Sequence, residues 1–177
     1  QDGGQLVVAL VMSDAWTVTH EENVAREPRD MLHFSGPVAA FAPAPLTGPD
    51  LRAAGAAMRT QQIAGGLMRL TTLTTQYAQD RVQFGRPIGK FQAVQQNLAV
   101  LAGQTAAACA AADIAAEAVD QTMRPLPIAA GKARAGEAAG IGASIAHQVH
   151  GAIGFTFEHT LHFVTRRLWS WRDEFGN

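Results

Sequence analysis

Apolar positions along this chain follow two different rhythms. From Leu6 to Met12 they run unbroken between Gly3-Gly4 and Ser13-Asp14, the pattern of a buried strand. Trp16 to Thr19 alternates, and Met31 to Phe34 is another short apolar run. Gly36, Pro37, Pro43 and Pro45 punctuate the next stretch of chain. A few short strands cannot cover both faces of a sheet by themselves. Residues 1–46 are therefore expected to be the tail of a β domain whose front half is absent.

The rhythm changes across Pro43 to Asp50. Thr47 and Asp50 have capping-box spacing, with Asp in place of the usual Glu or Gln, and Pro49 suits a first helical turn. Met58, Ile63, Leu67, Leu70, Leu73 and Tyr77 then recur mostly at three and four residues, which predicts a helix over 51–81. Phe91, Val94, Leu98 and Leu101 repeat the spacing in a second helix running to about Met123. Pro125 and Pro127 mark a break, a third helix is expected over 129–149, and Gly151 to Gly154 reads as a turn. A fourth helix is expected over 157–172. The predicted fold is mainly α: an antiparallel four-helix bundle over 47–177, preceded by the short β remnant.

Composition narrows the function classes. The chain has 177 residues, 47% hydrophobic and 16% charged, enough for a real core and unlike a disordered chain. A net charge of -1 gives no electrostatic footprint for nucleic acid. The single cysteine, Cys109, lies in an Ala-rich helical stretch and cannot form a disulfide within the chain, which fits a reducing compartment. No signal peptide is evident, and no unbroken apolar run reaches the roughly 18 residues a membrane span needs. A cytoplasmic protein without a membrane span is the expectation. The opening Gln1 in place of Met predicts that the chain begins inside a larger polypeptide.

Candidate chemistry concentrates between the first two helices. Tyr77-Ala-Gln-Asp-Arg81-Val-Gln83-Phe84-Gly85-Arg86-Pro87-Ile88 leads through Gly89 to Phe91-Gln92-Ala-Val94. Arg81 offers a planar fork for phosphate oxygens, Phe84 a ring for stacking, and Gln83 and Gln92 polar reach. The same residues also suit a capped interhelical loop with a surface Arg. His147, His150, His159 and His162 raise a metal site as an alternative, but no Glu-x-x-His pair is present, and caps or interfaces account for them better. Arg166, Arg167 and Arg172 with Trp169 and Trp171 suit either a nucleic-acid patch or a helix with a packed aromatic face. The adjacent Asp173-Glu174 favours the second.

The Tyr77 to Gln92 segment closely resembles the pattern Tyr-Ala-x-x-Arg-x-Gln-Phe-Gly-x-Pro-Ile-x-x-Phe-Gln of the acyl-CoA dehydrogenase family. Gln148, Gly151, Gly154 and Phe155 resemble that family's later Gln-x-x-Gly-Gly-x-Gly-Phe segment, with Ala152 replacing one Gly. The resemblance covers nearly the whole chain. It implies FAD as cofactor, an acyl-CoA substrate and α,β-dehydrogenation, in which a carboxylate removes the α-proton while the β-hydride passes to the flavin. It implies that Arg81, Gln83 and Phe84 approach the flavin of an adjacent subunit. Ile88, Phe91 and Val94 would line its adenine side, and Gln148, Gly151 and Ala152 its adenosine end. It also implies a dimer of dimers, of like or unlike chains, and electron-transferring flavoprotein as acceptor.

The chain departs from the family at the base. The commonest base position falls on Phe175 and the alternative on Gly55, neither acidic. Glu174, one residue away, is the remaining candidate catalytic carboxylate. The ending Thr165 to Glu174 resembles an actinobacterial subgroup acting on steroid side chains, built as heterotetramers with one complete site per unlike pair.

Overall fold

The computed structural model describes residues 6–12, 14–119 and 123–176. The chain divides into two compact units, 1–52 and 53–177. In the first, β1 (Val7–Val11) pairs antiparallel with β4 (Val38–Pro43), with an irregularity between Leu10 and Val11. Separately, β2 (Trp16–Thr19) pairs antiparallel with β3 (Met31–Phe34). The expected buried strand is not buried: Val8 and Leu10 of β1 are 61% and 63% exposed. The reason is the lack of a second layer, because among the described residues of this unit only Ala15 is buried. The apolar run of β1 records a capacity for burial that these two ladders do not use.

Helix α1 (Gly48–Asp80) opens on the expected cap. The Thr47 amide and hydroxyl donate to the Asp50 carboxylate at 2.9 and 2.6 Å, and the Asp50 amide returns a bond to the Thr47 hydroxyl at 3.3 Å. These bonds hold the Asp50 carboxyl below its ordinary pKa. Helix α2 spans Gln92–Val119 and α3 spans Pro125–His150. The predicted break at Pro125 and Pro127 is instead the first turn of α3, where a missing N–H costs no intrahelical bond. Helix α4 (Leu161–Asp173) starts four residues later than expected, after a 3-10 turn over Gly151–Phe155. The Leu161 amide donates to His159 Nδ1 at 3.1 Å, which caps that start.

Ile63, Leu67 and Leu70 of α1, Leu101 of α2, and Leu161 and Leu168 of α4 form the large-residue core with the alanines of α2 and α3. Helices α2 and α3 approach each other on small residues. A Cβ at Gly131 would lie 2.8 Å from the Ala111 carbonyl oxygen. Buried threonines return their hydroxyls to their own helices, Thr60 to Ala56, Thr74 to Leu70 and Thr105 to Leu101. Thr105 also meets Thr71 at 2.8 Å, and Gln61 Nε2 donates to the Ala112 carbonyl at 2.6 Å, tying α1 to α2.

An 18-residue window of α2 has a mean hydropathy of 1.5, so among the described residues one helix is long and apolar enough to cross a membrane. The expectation concerned unbroken apolar runs, and Asp113 and Glu117 do interrupt this helix. Alanine makes the window apolar, and Leu101, Ala108, Ala112 and Ala115 of this helix are buried in the bundle.

Two glycines in these helices should respond oppositely to one methyl. Gly131→Ala is expected to destabilise the fold by about 1–3 kcal/mol through overpacking against a carbonyl. Gly103→Ala, with no neighbour within 4 Å of the new Cβ, should stabilise it by up to about 1 kcal/mol through helix propensity. Urea denaturation of both variants measures the difference, and equal effects would contradict the small-residue seam.

Candidate functional site

The Arg81 to Phe91 segment folds as a miniature hairpin. Strand β5 (Val82–Gln83) pairs antiparallel with β6 (Arg86–Pro87). The two turn residues, Phe84 and Gly85, both have positive φ, 52° and 79°. That is the backbone of a mirror-image two-residue turn, and Phe is an unusual occupant because its Cβ strains this conformation. The result is a phenylalanine ring 93% exposed at the tip. It meets Phe91 edge-on with centroids 6.1 Å apart, and the Arg86 guanidinium lies 4.2 Å from the Phe91 ring centre. Arg81 and Gln83 are exposed, while Ile88, Phe91 and Val94 are half-buried behind them. Gly89 backs onto α1, since a Cβ there would stand 3.1 Å from the Ala78 carbonyl oxygen.

A second group forms at the end of α3. A cleft of about 500 Å³ is lined by Gly140, Ser144, His147, Gln148, Gly151, Phe155 and Trp169. His147 stacks between Phe155 at 4.3 Å and Trp169 at 5.6 Å, with Nε2 3.0 Å from the Thr165 hydroxyl. Gly151 has φ +63° and nothing within 4 Å of where a Cβ would stand. Ala152 beside it is exposed.

Tyr77 joins the two groups. It sits one helical turn before Arg81, stacks on His150 at 4.3 Å, and donates its hydroxyl to the His150 carbonyl at 3.3 Å. His159 meets both Tyr77 and His150 edge-on. The anchors of the two motifs, far apart in sequence, are therefore in contact.

The histidines pack and cap. His150 Nδ1 donates to the Ala146 carbonyl and His162 Nδ1 to the His159 carbonyl, each at 2.7 Å. Carbonyls only accept, so each ring carries a proton on Nδ1. Among the described residues no group of three or more His, Cys, Asp or Glu converges to hold a metal ion. Burial pushes the pKa of His147 and His150 below the ordinary value.

The expected base region is occupied otherwise. A Cβ on Gly55 would lie 2.4–2.7 Å from three ring atoms of Phe175, so the ring rests on the glycine. The two candidate base positions face each other, and neither bears a carboxylate. The Glu174 carboxylate is engaged by Arg59 of α1, with Nε at 2.6 Å and Nη2 at 2.5 Å. Arg59 carries no local signal in the sequence, since its partner is 115 residues away. Lys132 and Ser144 are not singled out by the sequence as site neighbours either, because nothing in their local spacing on α3 marks them, and Trp169 reads there as part of a packed aromatic face of α4 and not as a wall of this cleft.

Residues 53–171 match the family model described as acyl-CoA dehydrogenase, C-terminal domain. The chain belongs to the acyl-CoA dehydrogenase family. It is 33% identical over 171 residues to acyl-CoA dehydrogenase IpdE2 of Mycolicibacterium smegmatis, a match over 93% of this chain and 53% of that relative. The chain thus spans about half of that relative's length. In structure it resembles the ChsE4-ChsE5 complex of Mycobacterium tuberculosis, with TM-score 0.75 and 26% identity over 89% of this chain and 44% of that one. It also resembles a variant of the Tcur3481-Tcur3483 steroid ACAD, with TM-score 0.77 and 26% identity over 92% and 45% of the two chains. The helical bundle is the C-terminal fold of this family.

The depressed histidines give this end of the bundle an acid limit. In the unfolded chain both rings titrate near 6.5; folded, they titrate lower. The unfolded state then binds more protons, so stability is complete above about pH 6.5 and falls as pH drops below it. Denaturation midpoints at pH 7.5 and 5.5 should show that loss. The paired variants His147→Gln and His150→Gln should shrink it, and an unchanged slope would contradict this assignment.

Proposed function

We propose that this chain forms the C-terminal part of an FAD-dependent acyl-CoA dehydrogenase that carries out α,β-dehydrogenation of an acyl-CoA thioester. Its share is to lend flavin contacts across a subunit interface. The observation that supports this best is the stacking of Tyr77 on His150, which gathers the Arg81 hairpin and the Gln148–Gly151 turn. The residues present suit a dinucleotide. Arg81 is an exposed fork for pyrophosphate oxygens, with Gln83 and the Phe84 ring beside it. Ile88, Phe91 and Val94 form a half-buried apolar backing for the adenine side. The open space at Gly151 lets a ligand approach the backbone, with Gln148 and Ala152 flanking it for the adenosine end. FAD, when bound, supplies the hydride acceptor.

The rest of the reading is quaternary. We infer a dimer of dimers in which an unlike chain supplies the proton-abstracting carboxylate. The contact between Phe175 and Gly55 supports this, as does the engagement of Glu174 by Arg59, which leaves Glu174 a poor candidate base. The similar ChsE4-ChsE5 complex joins two differently named chains, and the similar Tcur3481-Tcur3483 protein is a steroid ACAD, so a steroid-linked acyl-CoA is the proposed substrate class. Electron-transferring flavoprotein is the proposed acceptor and the cytoplasm the proposed location. Residues 1–46 are read as the tail of the β domain that precedes such a bundle. The same Phe175–Gly55 contact favours a second reading, a catalytically inactive structural subunit.

Flavin stoichiometry separates the two. The visible spectrum of the native complex should give one flavin per two unlike chains; its absence from an intact complex would leave only the structural subunit. Arg81→Ala should weaken flavin binding by roughly 10- to 100-fold, the worth of a charge-assisted hydrogen bond. Fluorescence titration with FAD measures it, and unchanged affinity would remove Arg81 from the site.

A further inference from the structure

The segment after α4 is held in one conformation by long-range contacts. The chain leaves the helix at Asp173, is extended at Glu174, and turns at Phe175 and Gly176 with φ of +59° and +103°. Lys132 of α3 is only 2% exposed. Its ammonium donates to the carbonyls of Arg172 at 2.6 Å and Gly176 at 2.7 Å, clamping the backbone on both sides of Phe175. Burial lowers the pKa of Lys132, against the pull of Asp173 and Glu174. On the other side Arg59 forks onto Glu174 and lies 5.9 Å from the Trp171 ring centre. Ser170 adds a longer contact to the same carboxylate at 3.4 Å.

Those contacts aim Phe175 at one spot. Its ring occupies the space a side chain on Gly55 would need, at 2.4–2.7 Å from the built Cβ. Phe and Gly are complementary here: a carboxylate at position 55 cannot coexist with the ring, whose atoms are the nearest neighbours of a Cβ built there. A positive φ at a phenylalanine is strained, and such strain persists only where surroundings impose it.

We propose that Phe175 is an aromatic plug in this chain's own thioester position and that Lys132 is the positioning residue that keeps it there. The inference rests on the proposed dehydrogenase function and goes further than the loss of a base. A site that lacked only its base would still bind acyl-CoA. A plugged site binds none until the ring is removed.

The test counts acyl-CoA sites on the intact flavin-loaded complex, by equilibrium dialysis with a 2-enoyl-CoA, the product form of the substrate. The native complex should bind one enoyl-CoA per pair of unlike chains, and Phe175→Ala should raise that to two. Lys132→Met, which removes both clamping bonds, should also open the second site. Lys132→Arg retains donors for both carbonyls and should keep it closed. A native complex that already binds one enoyl-CoA on every chain would overturn the plug while leaving the dehydrogenase reading intact, and it needs no variant to fold. A Phe175→Ala complex that stays at one site would overturn the plug as well. A Lys132→Met complex with the native count would overturn the role of Lys132. A complex that binds neither flavin nor enoyl-CoA would overturn both readings together.

Discussion

The approach of α3 to α2 is the constraint on which the rest of the bundle depends. With Gly131 facing the Ala111 carbonyl, no methyl fits between the two backbones. Small residues allow that distance, and dispersion between closely packed backbones and methyls rewards it. Helix α3 is thereby fixed along its length, and it carries working residues at both ends. Lys132 near its start clamps the segment after α4, while His147 and Gln148 near its end line the aromatic cleft and His150 stacks on Tyr77. A shift of this one helix would move both.

The two ends use burial differently. At the end of α3, aromatic and imidazole rings stack, and the Nδ1 donor of His150 is satisfied by a nearby carbonyl. At the other end the ammonium of a buried lysine gives its protons to backbone carbonyls. Carbonyls at the end of a helix are the natural partner for such a cation, because the last turn of a helix leaves them unsatisfied.

Much of this architecture is legible in the sequence, and the misses share a cause. Periodicity locates all four helices, and the Thr47–Asp50 cap forms as its spacing indicates. The motif residues are legible as a set, but not the strained φ of Phe84, because nothing local distinguishes a hairpin tip from a capped loop. The start of α3 is misplaced because proline marks both the end of one helix and the first turn of the next. The run in β1 looks buried because its burial depends on a second layer, which a strand's own residues do not encode. Arg59 with Glu174, and Lys132 with Gly176, join residues far apart in the chain, and no spacing rule reaches them.

The hairpin at Phe84 also has a thermodynamic side. An exposed phenylalanine on a flexible loop would sample many orientations, and a binding partner would have to freeze one of them. Here the strained turn and the Phe91 edge contact already place the ring. The strain of that backbone, on the order of 1–3 kcal/mol, and the ordering of the ring are both met when the chain folds. A surface that docks against this tip therefore meets a preorganised ring, and the entropy of fixing it no longer counts against association.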